Sequence, residues 1–132
     1  MNDVKVMVKK EKIFSKNLIE IIEKKYQRND LINISRELRV GDFVKIGYKI
    51  PEGEKERLQI YEGLIIARQN KGLGKSFTLR RTVQGIGIEQ IFLINSPKLS
   101  SIAKKQSSKI RKAKLYFIRT LSEKLTRAKL KN

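Results

Sequence analysis

The chain has 132 residues and a formal charge of +18, with 31 Lys or Arg against 13 Asp or Glu. It contains neither cysteine nor histidine, which excludes disulfide frameworks, thiolate or imidazole metal sites, cysteine nucleophiles and the commonest general base. Apolar residues make up 39% and aromatics 7%, enough for one small core, and no stretch approaches the 18 uninterrupted apolar residues of a membrane span.

The opening residues, MNDVKVMVKKEKIF, lack both the apolar run of a secretory signal and the Arg/Ser-rich bias of a transit peptide. The expectation is a protein that works where it is made, or one whose address has been removed. From about Lys12 to Arg28, Phe14, Leu18, Ile21, Ile22 and Tyr26 recur at spacings of three and four among Lys and Glu. That periodicity predicts an amphipathic helix, packed either on its own domain or on an external partner.

The next region, about Val40 to Pro97, is patterned as strands. Gly41-Asp42 signals a turn before Phe43-Val44-Lys45-Ile46, and Pro51-Glu52-Gly53-Glu54 signals another. Arg57 to Arg68 is a long β-rich run, followed by a Gly-rich loop from Asn70 to Lys75. Ser76–Val83 and Ile88–Ile94 flank the hairpin turn Gln84-Gly85-Ile86-Gly87. Four or five short strands with turns at this spacing predict a small, strongly bent barrel. Its expected core is Leu58, Ile60, Ile65, Phe77, Leu79, Ile91 and Leu93, since alternate strand positions share a face.

Beyond Ser96-Pro97 the chain becomes strongly basic. From Lys98 to Asn132 there are twelve Lys or Arg and one acid, Glu123. Ser100 to Lys109 is polar and aperiodic and is read as an extended arm. Ala113 to Arg119 is read as a possible further strand, and Leu121, Leu125, Ala128 and Leu130 predict a short terminal helix. The resulting division is a helical extension over 1–39, a β-barrel domain over 40–119 with the arm at about 98–112, and a short basic helix over 120–132.

Little here supports catalysis. Gly74-Lys75-Ser76 resembles the end of a phosphate-binding loop, but the required first glycine is Gln69 and the sequence after Ser76 is β-patterned, not helical. Glu52, Glu54 and Glu56 lie in one turn beside Lys55 and Arg57, as in a solvated loop, while Glu62 and Glu89 sit within strands as partners for Arg or Lys. No catalytic residue, metal ligand, cofactor or small-molecule substrate is expected.

The cations fall into two groups. Arg68, Lys71, Lys75, Arg80 and Arg81 flank the Gly-rich hairpin and form a charged finger. Lys104, Lys105, Lys109, Arg111, Lys112, Lys114 and Arg119 form a second run with no carboxylate within it, and Arg127 follows. So much uncompensated charge opposes compactness unless a polyanion offsets it. Nucleic acid is the usual one, because Lys and Arg displace its condensed counterions. Contacts of this kind position a protein without reading sequence. If about six of the second run's cations touch phosphate, log K should fall against log salt with a slope near −4 to −5.

Several motifs narrow the reading. Arg57-Leu58-Gln59, then Tyr61-Glu62-Gly63 running into Leu64-Ile65-Ile66-Ala67, resembles a segment of the bacterial-type large-subunit ribosomal protein L-nineteen family. Phe77-Thr78-Leu79-Arg80-Arg81, Gly85-Ile86-Gly87-Ile88-Glu89, Ser96-Pro97 and the run Ile110 to Arg119 resemble further segments of it, in order and with matching spacing. The resemblance spans about Gly41 to Arg119. It implies an SH3-like barrel with a basic C-terminal arm, bound to large-subunit rRNA near the intersubunit face. It also implies ribosomal proteins L-fourteen and L-three as neighbours, and bridges to small-subunit rRNA.

The rRNA-binding residues expected on this basis are Arg68, Lys71, Lys75, Arg80, Arg81, Lys104, Lys105, Lys109, Arg111, Lys112, Lys114, Arg119 and Arg127. The sequence departs from the family where Asn95 replaces a usual His, Gln90 a usual Arg, and Gln106-Ser107-Ser108 an Arg-Arg-Gly. The first forty residues diverge. The wording of the 84–89 segment and the Lys/Ile bias resemble plastid-encoded members, so a plastid ribosome is expected before a bacterial cytoplasm. The competing reading is a free basic RNA- or DNA-binding protein of the RNA-chaperone or nucleoid type.

Overall fold

The computed structural model describes residues 18–130. The part of the predicted N-terminal helix that includes Phe14 lies outside the described residues. The rest of the N-terminal region forms two helices rather than one: α1 (Leu18–Tyr26) and α2 (Asn29–Glu37). Each has an acid in its first turn and a base in its last, the polarity that complements the helix dipole. Leu18, Ile22 and Tyr26 of α1 are exposed, whereas Leu31 of α2 and Leu38 just after it are buried in the core. The helix that packs on the sheet is thus α2, which the apolar periodicity up to Arg28 does not reach.

Arg28 joins α2 to the sheet. Its guanidinium grips Asp30 at 2.6 Å and donates to the carbonyls of Ser96, at 2.8 Å, and Leu99. Its backbone N–H donates to Asn95 Oδ1 at 3.1 Å, and Asn95 Nδ2 donates onward to the Leu73 carbonyl at 3.2 Å.

Five strands come next: β1 (Phe43–Glu52), β2 (Lys55–Gln69), β3 (Ser76–Val83), β4 (Ile86–Leu93) and β5 (Leu99–Gln106). They form one antiparallel sheet in the order β4-β3-β2-β1-β5. The β3–β4 hairpin closes through Gln84-Gly85 alone, both at positive φ (51° and 78°), as a two-residue primed turn requires.

The sheet bends hard. Tyr48 on β1 and Phe92 on β4 are three strand steps apart, about 14 Å in a flat sheet, yet their ring centroids lie 5.6 Å apart. The bend wraps a core of Val44, Ile46, Ile65, Phe77, Leu79, Phe92, Ile94, Leu99 and Ile102, closed by Leu31 and Leu38. No pairing joins the edge strands β4 and β5, so the sheet stays open among the described residues. The domain is mainly β, as expected, but a closed barrel is not what the strands form.

Three sequence expectations are corrected. Ser100 to Lys109 is not a free arm: most of it is β5, paired to β1 from Tyr48↔Leu99 to Phe43↔Gln106. Ala113 to Arg119 adds no strand; Tyr116–Thr120 is a turn of 3-10 helix, followed by α3 (Glu123–Leu130). Of the expected core, Ile65, Phe77 and Leu79 are buried, but Leu58, Ile60, Ile91 and Leu93 are about half exposed or more (55%, 48%, 71% and 50%).

The parity explains that last miss. In a regular strand Leu58 and Ile60 cannot share a face with Ile65, and they pair with Lys49 and Gly47 on the outer side. In the unbroken apolar run Ile91-Phe92-Leu93-Ile94 the pairing Phe77↔Phe92 decides which pair turns inward.

Candidate nucleic-acid interface

The outer face of the sheet carries a second, smaller cluster: Ile66, Ala67, Leu115 and Ile118, with Leu64, Ile110, Phe117 and Leu130 packed against it. It exists because of a bulge. The β2–β3 register slips between Ile65 and Ala67, and the Ile66 carbonyl accepts the Leu115 N–H at 2.8 Å instead of a strand partner. Leu115, wholly buried, and Ile118 then seat the C-terminal segment on the sheet.

The predicted cations fare differently once folded. In the finger, Arg68 is half-buried and donates to the Leu38 carbonyl, and also to Asn70 Oδ1 at 3.3 Å. Arg81 lies over the Tyr61 ring at 4.6 Å, with its Nε buried and without a hydrogen-bond partner. Arg80 pairs with Glu89 at 2.9 Å across β3–β4. Lys71 is exposed at the start of the 3-10 turn Gly72–Gly74, and Lys75 follows that turn, partly exposed.

The second run meets carboxylates that sequence distance concealed. Lys104 reaches Asp42 at 3.1 Å. Asp42 is completely buried and also accepts the Arg39 N–H at 2.8 Å and the Ser107 hydroxyl at 2.9 Å. Lys105 pairs with Glu62 at 2.8 Å, and Lys45 comes within 3.9 Å of the same carboxylate oxygen. The Lys105 ammonium foremost, and Lys45 second, hold the Glu62 carboxyl below its usual value.

Arg119 forms a two-pronged bond to Glu89, Nε to Oε1 and Nη2 to Oε2, both at 2.7 Å. With Arg119 foremost and Arg80 second, Glu89 is held below the ordinary carboxylate range, while Arg119 is pushed up in turn. Arg127 pairs with Glu123 one turn back at 2.6 Å, on the exposed side of α3. Lys109, Arg111, Lys112 and Lys114 are exposed. Lys112 stands 4.8 Å from the Phe117 ring centre and Lys114 stands 5.8 Å from that of Tyr116.

Asp42 and Glu89 organise this surface, and neither belonged to the expected site. In the sequence Asp42 is visible only as half of a turn signal, and Glu89 only as a strand acid awaiting a basic partner. Gly63, in the Tyr-Glu-Gly motif, has an equally local reason. A Cβ there would sit 2.6 Å from the Arg80 carbonyl oxygen, so only glycine lets β2 and β3 close at this point.

Among the described residues no three acids gather as a metal site. The exposed side chains here are largely cations presented on a β scaffold, which defines a small basic β module. Residues 17–131 match the family model described as Ribosomal protein L19. The chain is 48% identical to the Large ribosomal subunit protein bL19c of Phaeodactylum tricornutum over 118 residues, 89% of this chain and 95% of that one. It is 44% identical over 112 residues to the bL19 protein of Synechocystis sp., covering 85% and 88% of the two chains. With that of Prochlorococcus marinus subsp. pastoris the identity is 42% over 125 residues, 95% and 76% of the chains. The chain belongs to the ribosomal protein L19 family, whose members are structural components of the ribosome and not enzymes.

Proposed function

We propose that this protein is assembled into the large ribosomal subunit, where its exposed cations bind large-subunit rRNA near the intersubunit face. The observation that carries the reading is the group Lys109, Arg111, Lys112 and Lys114, exposed beside a segment that Leu115 and Ile118 anchor to the sheet. Mobile cations lose freedom when they meet phosphate, and an anchored segment loses less. Lys71 and Lys75, at the hairpin loop, take the second role, contact with small-subunit RNA across the subunit interface. L-fourteen and L-three are the proposed protein neighbours.

A plastid ribosome is the proposed setting, ahead of a bacterial one. Diatom relatives named bL19c reach 48% to 51% identity, the cyanobacterial proteins 41% to 44%. Sucrose-gradient sedimentation of the tagged protein tests the assignment. It is expected in large-subunit and monosome fractions at moderate salt; recovery chiefly outside them would leave a free basic RNA- or DNA-binding protein. Neutralising Lys71 and Lys75 is expected to weaken subunit association more than incorporation, and equal losses would make the loop an ordinary anchor.

A further inference from the structure

Within Lys112-Ala113-Lys114-Leu115-Tyr116-Phe117-Ile118-Arg119, aromatic and basic residues interleave. The 3-10 turn sorts them, because residues three apart share a side. Leu115 and Ile118 both turn into the sheet and are buried. Tyr116 and Arg119 therefore form the next row, and the Arg119 guanidinium lies 4.5 Å from the Tyr116 ring centre. This cation is held firmly: Glu89 takes it with both oxygens, and Arg80 pairs with Glu89 in turn. Tyr116 is nevertheless 43% exposed, with Lys114 beside its ring and Lys112 by that of the adjoining Phe117.

We infer that Tyr116 and Arg119 form a stacking platform for one unpaired nucleotide of RNA. This rests on the rRNA-binding reading and adds a contact to it that charge alone does not supply. Phosphate requires cations but no ring, whereas a splayed base requires a flat, fixed, partly dry surface with cations beside it for the flanking phosphates. Here the sheet fixes the guanidinium, the guanidinium positions the ring, and Lys112 and Lys114 supply the phosphate contacts. Glu89 is a positioning residue. The core rings Tyr48, Tyr61, Phe77 and Phe92 pack mostly on one another and offer no such surface.

The chain has no tryptophan, so a Tyr116→Trp substitution in the full chain introduces a single indole reporter. Two probes are used: single-stranded oligoadenylate, and inorganic polyphosphate matched in charge but lacking bases. Oligoadenylate is expected to quench the indole, and polyphosphate to bind without quenching. Tyr116→Leu should weaken oligoadenylate binding roughly 5- to 100-fold, leaving its salt slope and the polyphosphate affinity unchanged. Arg119→Lys, which keeps the charge but loses the two-pronged grip, should shift affinity in the same direction by less.

If Tyr116→Leu binds both probes like the parent chain, the platform is refuted while RNA binding stands. If the losses on both probes are equal, the ring is only structural. If the parent chain binds neither probe, the RNA-binding reading and the platform fall together.

Discussion

The two basic groups look alike in sequence and differ in the fold. In the finger the arginines are inward: Arg68 on the Leu38 carbonyl, Arg81 on Tyr61, Arg80 on Glu89, leaving the lysines at positions 71 and 75 for a partner. In the C-terminal group the ends are tied, Lys104 to Asp42, Lys105 to Glu62 and Arg119 to Glu89, and the middle stands out on an anchored turn. Formal charge thus overstates the charge available to a polyanion in both. In the finger, guanidinium goes to structural roles because its planar fork suits carbonyls, carboxylates and rings. In the C-terminal group Lys104 and Lys105 are tied to carboxylates as Arg119 is.

The strongest way to break the comparison is to remove the anchor. Leu115→Ala deletes a fully buried side chain and should cost about 2–5 kcal/mol, with faster amide exchange across 113–120. Lys71→Ala with Lys75→Ala should stay within about 0.5 kcal/mol. If Leu115→Ala leaves both the melting temperature and the exchange unchanged, the C-terminal group is not held as described.

Salt dependence sharpens the contrast next. With the ends of the run paired, the exposed Arg111, Lys112 and Lys114 are the cations counted for phosphate, which lowers the expected slope to about −2 to −3 on a large-subunit rRNA fragment. Replacing Arg111, Lys112 and Lys114 with Ala should flatten it by about 2 to 3, and replacing Lys71 and Lys75 by less than about 2. A slope of −5 or steeper in the parent chain would mean that phosphate displaces the internal carboxylates.

The Glu89 bracket gives a smaller, pH-dependent effect. Folding holds its carboxyl below the ordinary 4.5, so its stabilisation is complete above that pH and is lost as acid protonates the group. Glu89→Gln should cost about 1 kcal/mol near neutrality and make the stability of the 113–120 segment less dependent on acid. An unaltered acid profile would show that Arg80 and Arg119 do not depend on it. The smallest expected effect is at Glu62, an exposed side chain on the central strand β2. Glu62→Gln should leave the melting temperature unchanged and steepen the salt slope slightly, by releasing Lys45 and Lys105.

Local chemistry made much of this protein legible. The turn after Val83, the β1 to β4 strands and the terminal helix arise from neighbours a few residues apart or from period-two patterning. That Glu62 and Glu89 pair with bases was legible from their places in strands, but not that the bases are Lys105 and Arg119, forty-three and thirty residues on. The motif run from Arg57 to Arg119 carried the family. Missing histidine and cysteine narrowed the chemistry before any fold was considered.

What only the tertiary structure decided is long-range. Ser100 to Gln106 has no strand signal of its own, and becomes β5 because β1 offers an unpaired edge. The inward side of Ile91-Phe92-Leu93-Ile94 was set by Phe77 across the hairpin. The turn that presents Tyr116 depends on a bulge carbonyl forty-nine positions earlier, at Ile66. Lys104 and Asp42 are sixty-two residues apart in the chain and 3.1 Å apart in space. Composition counts charges along a line, but electrostatics acts through distance, and only the folded sheet determines which charges meet.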